Sequence, residues 1–364
     1  MSVRFYILTH KACSLPPDRT YVPLQVGSAL HEPLPCLHDD TGDNISAKNP
    51  FYSELTGIYW IWKNNTDSEI IGTAHYRRYL LTEDHIFSAE EAKAALQNHD
   101  LVSTKQVLLP TTYYEAFGAD HHRKDLDALT DVIREMQPGY SETFHRIVHG
   151  NRTYFGNMFI MPRERFHAYC DFLFSLLFET EKLVDMTGYT AYQKRLYGFL
   201  SELLLTVYVK KNGLHVKECM VGMSGEKKET KETEEAVAAC FARGDLEGAR
   251  TALLGALEKR PDLLMEASDI YGNLRAAMEV IAICDAESAA GKMTLLEKDR
   301  DFQSLTGKVK HLNRMIGEER AGDLHYSHEA LEAFCRENGL SEEAMEIAQT
   351  ILPENRKENI LFDV

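Results

Sequence analysis

Near residue 224 the chain changes character, and that break constrains the fold more than any single motif. Twenty-nine aromatic residues lie before it and six after it, and both tryptophans, Trp60 and Trp62, are in the first part. Aromatic side chains furnish packed cores and ligand pockets, so chemistry is expected in the first part. Charge divides in the same way. Residues 1–223 hold 22 basic and 27 acidic side chains, net −5, whereas residues 224–364 hold 18 and 29, net −11. Between them, residues 224–234 read Ser-Gly-Glu-Lys-Lys-Glu-Thr-Lys-Glu-Thr-Glu, with no aliphatic side chain. Such a run is a linker or the exposed start of a helix. Two domains are expected, 1–223 and 224–364, within the usual size range.

The first part alternates. Short apolar runs at 4–9, 69–74, 100–109, 157–161 and 216–220 read as strands. Between them, 49–63, 89–98, 126–136, 164–183 and 189–209 read as helices. Ser88 with Glu91 has the capping-box spacing for the second of these. Strands alternating with helices predict an α/β domain with a largely parallel sheet. Such sheets bind ligands at the carboxyl ends of their strands. The second part is nearly all helical. Residues 234–242 and 246–260, joined by Gly244-Asp245, resemble a single tetratricopeptide-like hairpin. One such unit cannot make a solenoid, which needs about three. A second hairpin is expected at 328–338 and 341–352, with Gly339 and Pro353 as stops.

Whole-chain properties exclude several classes. The net charge of −16 disfavours nucleic acid as a partner. Seven scattered cysteines without a C-x-x-C pair fit a reducing compartment rather than a disulfide framework or zinc site. No run of about 18 apolar residues could span a membrane. The apolar patch Phe5–Leu8 is too short for a signal-peptide core, so a cytoplasmic protein is expected. Hydrolase, ATPase, zinc-protease and dinucleotide motifs are all missing from the sequence.

Five polar clusters interrupt the apolar pattern. His75-Tyr76-Arg77-Arg78-Tyr79 follows the 69–74 strand. Two guanidinium forks at a strand's carboxyl end can neutralise a phosphate, with His75 a third donor; surface pairing with carboxylates is the plain alternative. Asp39-Asp40-Thr41-Gly42-Asp43-Asn44 is either a tight turn or a place where Asp43 and Asn44 meet a ribose or base edge. Its spacing matches no EF-hand loop. Gly156-Asn157 leads a strand and could offer an amide to a sugar; a core strand with a polar first residue is equally compatible. Glu202 lies on an apolar helix and is costly there unless paired. It either pairs with Arg195 two turns earlier or serves as a general base beside a hydroxyl. His121 and His122 read first as an exposed loop, and otherwise as an acceptor-side site.

In order, His38-Asp-Asp-Thr-Gly-Asp-Asn-Ile-Ser46, Ser53-Glu-Leu-Thr-Gly-Ile-Tyr-Trp60, Ile71-Gly-Thr-Ala-His-Tyr-Arg-Arg-Tyr79, Phe155-Gly-Asn-Met-Phe-Ile-Met161 and Gly198-Phe-Leu-Ser-Glu202 form a specific series. The series resembles the bacterial DUF4422 glycosyltransferases of capsular and exopolysaccharide gene clusters, over about residues 3–220. The resemblance implies a GT-A-like domain followed here by a separate all-helical one. It implies a nucleotide-sugar donor, UDP-linked, with galactofuranose or galactose as the sugar, and a glycan or lipid-linked glycan acceptor. His10, Asp43, Asn44, His75, Tyr76 and Asn157 would hold the donor, Arg77 and Arg78 the leaving diphosphate, and Glu202 would be the base of an inverting hexosyl transfer. GT-A enzymes usually carry an Asp-x-Asp metal motif where this chain has His75-Tyr-Arg-Arg78. The expectation is therefore no metal cofactor, with Mn²⁺ or Mg²⁺ at Asp43 and nearby acids as the alternative. The helical part would dock a protein partner, another copy or an assembly at the inner membrane face. A non-catalytic scaffold working through that helical part is the rival reading.

Overall fold

The computed structural model describes residues 1–351 except 84, 266–267 and 321–326. Two compact units result, the first running from Met1 to Ser224 and the second beginning at Gly225. The strands of the first unit are β1 (Val3–Thr9), β2 (Tyr21–Gln25), β3 (Leu37–His38), β4 (Ile70–His75), β5 (Arg78–Thr82), β6 (His85–Ile86), β7 (Leu101–Thr104), β8 (Val107–Leu108), β9 (Arg152–Thr153), β10 (Phe159–Pro162), β11 (Val216–Cys219) and β12 (Val221–Met223). The main sheet has the order β11-β7-β10-β4-β1-β2-β3, with β5 joined to β4, β6 and β12. β8 and β9 form a separate ladder.

β1 shows why the sheet is central. Phe5 and Ile7 enter one apolar cluster while Tyr6 and Leu8 enter another. A strand covered on both faces must be a continuous apolar run, and this one is. Helices Arg163–Leu183 and Leu196–Lys211 belong to the larger cluster. The second of these is apolar on nearly all sides, the signature of a buried helix. That is how Glu202 comes to sit inside the protein.

The sheet is mixed rather than largely parallel. β1, β2, β3 and β4 are parallel neighbours, but β10 runs against both β4 and β7. The chain enters β10 through Gly156 (φ 95°) and Asn157 (φ 48°), two left-handed residues that turn it back along β4. Two further differences shape the site. The expected 49–63 helix breaks at Ser53 (φ 51°) into Asn49–Tyr52 and Leu55–Asn64, leaving Glu54 at the break. Arg78 does not trail off a strand end: Tyr76 and Arg77 form a tight turn, and Arg78 opens β5 opposite His75. The capping box at Ser88 and Glu91 is formed.

Helices of the second unit include Lys228–Arg243, Leu246–Lys259, Asn273–Ala289, Phe302–Arg320, His328–Asn338 and Glu342–Ile351. The charged run starts a helix at Lys228 rather than forming a linker throughout. Gly244 ends that helix at φ 71°, and the Asp245 carboxylate caps the next by accepting from Gly248 N (2.8 Å). Gly339 closes its helix the same way; Pro353 lies outside the described residues. Asn273–Ala289 and Phe302–Arg320 were not foreseen. No described helix is long and apolar enough to cross a membrane. All seven cysteines are free.

Candidate functional site

Parallel β1, β2, β3 and β4 bring their carboxyl ends to one edge of the sheet, where α/β proteins bind ligands. His10 follows β1, and Tyr76 and Arg77 turn the corner after β4. The Tyr76 ring gathers three basic side chains. His10 meets it edge-on with centroids 5.1 Å apart. Lys11 Nζ and Arg77 Cζ each lie 5.0 Å from its centre. A basic cluster on an acidic protein, at the ligand-binding edge, suits an anion. Lys11 escaped the sequence reading, although its place directly after β1 and beside His10 was the available signal.

Behind this cluster the Gly156–Asn157 turn organises a second layer. Gly156 N donates to Glu202 Oε1 (2.7 Å), and Gly156 O accepts from His75 Nε2 (2.6 Å). A carbonyl only accepts, so His75 carries its proton on Nε2. Asn157 Nδ2 donates to Glu54 Oε1 (2.8 Å) and Ser201 Oγ (2.9 Å). Arg78 lies alongside, its Nη1 3.8 Å from where a Gly156 Cβ would be. Among the described residues no hydrogen bond or ion pair ties down the Arg78 guanidinium.

Electrostatics divide the acids. Burial raises the Glu202 carboxyl to about 8, and the charge on Glu54 pushes the same way; the Gly156 amide, Arg78 and Arg195 oppose. Burial would also raise Glu54, but the charge His75 carries once protonated in acid, the Asn157 amide and Arg195 hold it below its ordinary value. Burial lowers His75 to about 4, with Arg78 adding to the effect, so its ring is neutral at neutral pH. Burial also lowers Arg78 against the pull of Glu54 and Glu202. Two acids with opposed shifts are the pattern expected of an acid–base site.

Several expected residues take other roles. Asn157 does not reach a sugar: it is 1% exposed, and its amide is spent on Glu54, Ser201 and Gly198. Glu202 does not pair with Arg195, whose Nε donates to Ser53 Oγ (3.2 Å). Asn44 holds its own turn, donating to Asp40 O (3.1 Å) and Gly42 O (3.0 Å). Asp43 Oδ1 accepts from Tyr59 OH (3.1 Å). That turn shares the sheet edge with His75 but follows β3, three strand spacings or about 14 Å from β4. Among the described residues the acids of that turn do not converge as a group of three. Asp39 is buried and accepts from Gly27 N (2.9 Å), Ser28 N (3.0 Å) and the Ser46 hydroxyl. The described acids that do converge are Glu226, Glu234 and Asp269 of the second unit. The two histidines part company: His122 is exposed, just before the helix that starts at Arg123, whereas His121 is not. His121 is buried among Phe117, Tyr192 and Phe199, with centroids 4.9, 5.4 and 4.3 Å away. His122 packs on Tyr189 at 4.4 Å.

Glu54 was missed altogether. Its signal was a lone acid in the apolar stretch from Tyr52 to Ile58, the same signal that marked Glu202.

Comparison with known proteins gives three findings. No curated protein matches the chain. A solved structure, the apo form of the bifunctional glycosyltransferase WbbM, is similar at 28% identity with a TM-score of 0.55. The match covers 66% of this chain and 52% of that one, so the chain spans about half the length of WbbM. The likeness supports a GT-A-like reading of the mixed sheet with its helical continuation. Residues 4–213 match the family described as "Domain of unknown function (DUF4422)". That match covers more than half of the sequence, and the chain belongs to the DUF4422 family.

Proposed function

We propose that the first unit is a nucleotide-sugar-dependent glycosyltransferase that moves a hexose, from a UDP-linked donor such as UDP-galactose or UDP-galactofuranose, to a hydroxyl of a cell-surface glycan or its lipid-linked precursor. The observation that carries this is Arg78, a guanidinium with no hydrogen bond or ion pair among the described residues, in the field of two acids of opposed shift. The likeness to a glycosyltransferase supports it. The diphosphate would lie against Arg77, Arg78, Lys11 and His10, with the Tyr76 ring beneath, and the nucleoside would extend toward the Asp43–Asn44 turn. The acceptor would enter from the side of Phe199, His121 and His122. As the acceptor oxygen bonds to the anomeric carbon, its proton passes to Glu202. The bond to the diphosphate breaks with its electrons, and the new charge falls on the arginines. The displacement inverts the anomeric carbon. Fixed cations take the part of a divalent ion in this scheme. Transfer would take place in the cytoplasm or at the inner membrane face, with the second unit docking a protein partner or a second copy.

Calorimetry with UDP, GDP and CMP tests this reading, first in EDTA and then with Mn²⁺. One nucleotide should bind in EDTA and be lost in Arg77→Ala/Arg78→Ala. Binding only with Mn²⁺ would overturn the metal-free scheme. No binding, together with no hydrolysis of any nucleotide sugar, would favour a scaffold.

A further inference from the structure

We propose that Glu54 is a positioning residue for Glu202: the two carboxyls grip adjacent residues of the same turn, and the fixed charge of Glu54 sets the pH at which Glu202 becomes a base. This rests on the reading of Glu202 as the proton acceptor. The geometry is specific. Glu202 accepts from the main-chain amide of Gly156, and Glu54 accepts from the side-chain amide of the next residue, Asn157. Asn157 is also tied to Ser201, the residue before Glu202, and Ser201 Oγ donates back to Asn157 Oδ1 (3.1 Å). The chain Glu54–Asn157–Ser201 therefore ends beside Glu202, so a shift of Glu54 is transmitted to it.

Both residues of that turn are left-handed. Asn is tolerated in that conformation better than most residues, and Gly at no cost. The groups that bear on Glu202 come from each surrounding element. They are Glu54 at the helix break, Arg78 on β5, Arg195 at the start of the Glu202 helix, and the Tyr113 and Tyr169 hydroxyls. His75 on β4 acts on Glu54. Of the charged groups, Arg78 and Arg195 favour ionised Glu202 and Glu54 alone disfavours it. Two like charges at one site cannot both be held cheaply, so one acid keeps the charge and the other the proton. Glu54, with the Asn157 amide bond, keeps the charge. A diphosphate that draws Arg78 away would further discourage ionisation of Glu202, so Glu54 also decides how far the base is armed once the donor is bound.

The test is a pH–rate profile of the full chain for the wild type, Glu54→Gln and Glu202→Gln, with a carbon-13 carboxyl titration of each apo protein. Glutamine keeps an acceptor for Asn157 and removes only the charge. Wild-type transfer should rise with pH through about 8, because the base must lose its proton. In Glu54→Gln that limb and the Glu202 resonance should both move down by about one pH unit, about fivefold in ionised Glu202 at pH 7. An unmoved resonance and limb would overturn the proposal while leaving the base role intact. Transfer undiminished in Glu202→Gln would remove the base role, yet the resonance would still report the coupling. Should Glu54→Gln fail to fold, Glu54→Asp draws the charge back by one methylene and must change the Glu202 titration; no change overturns the proposal.

Discussion

Buried acids behave differently in the two units. In the first, Glu54 and Glu202 lie among Arg78, Arg195 and His75, and their proton affinities are driven apart. In the second, burial raises Glu279 to about 7, opposed only by the amide of Asn313. Burial likewise raises Glu234 to about 7, assisted by Glu226. Desolvation acts on all four, but of these four only Glu54 and Glu202 have arginines beside them, which divide one acid from the other. Glu279 and Glu234 simply keep their protons, while Asp262 of the same unit is held ionised by Arg260 and Lys227. Burial of an acid is thus no mark of a site; the split between neighbours is.

The comparison breaks first on activity. Glu202→Gln should lower transfer by about 10²–10⁴-fold, the usual worth of a general base. Glu279→Gln should leave it within about twofold. Rates of nucleotide-sugar consumption check both. Equal losses would mean that the second unit takes part in chemistry.

The next effect is on stability. Asn313 Nδ2 donates to Glu279 Oε2 (2.7 Å), while Glu279 Oε1 and Asn313 Oδ1 are buried acceptors without partners. A proton on Glu279 turns one of those acceptors into a donor. Its folded-state affinity lies above the unfolded value, so this stabilisation is complete below about pH 4.5 and is lost as pH rises through about 7. The loss across that window is about 3 kcal/mol at most. Hydrogen exchange in the helices Asn273–Ala289 and Phe302–Arg320 should quicken between pH 5 and 9, after correction for intrinsic rates. Glu279→Gln should flatten that dependence. A flat wild type would show that Glu279 is ionised in the fold.

The same contrast explains what the sequence could say. Local signals were legible. The apolar run of β1, the Ser88-x-x-Glu91 box and the Gly244-Asp245 turn each formed, because the residues that make them are neighbours in the chain. The basic cluster was legible because His75, Tyr76 and Arg77 are contiguous, and β1 places His10 beside them through Leu8 opposite His75. Direction was not legible. Whether β10 runs with or against β4 depends on two left-handed residues tied to Glu54, Glu202 and Ser201, 44 to 103 residues away. For the same reason Asn157 looked like a sugar ligand and is instead a buried tie. At Asp43 and Asn44 the partners Tyr59, Asp40 and Gly42 close a turn that spacing alone left open.

The smallest effect sharpens the comparison by being the same in both units. Ser88 Oγ accepts from Glu91 N (3.3 Å), and Glu91 Oε2 accepts from Ser88 N (2.9 Å). Thr294 and Glu297 repeat this in the second unit, at 3.2 and 2.7 Å. Each box satisfies amides that a helix start otherwise leaves open, and its worth comes from backbone geometry rather than from what lies around it. Ser88→Ala and Thr294→Ala should therefore each cost about 1 kcal/mol, read from denaturant unfolding of the full chain. Similar costs would show that short-range devices carry over between units while buried acids take their character from their surroundings. A much larger cost at Ser88 would tie its helix to more than its own cap, and the bond of His85 Nε2 to Glu91 Oε1 (2.8 Å) is where that excess would arise.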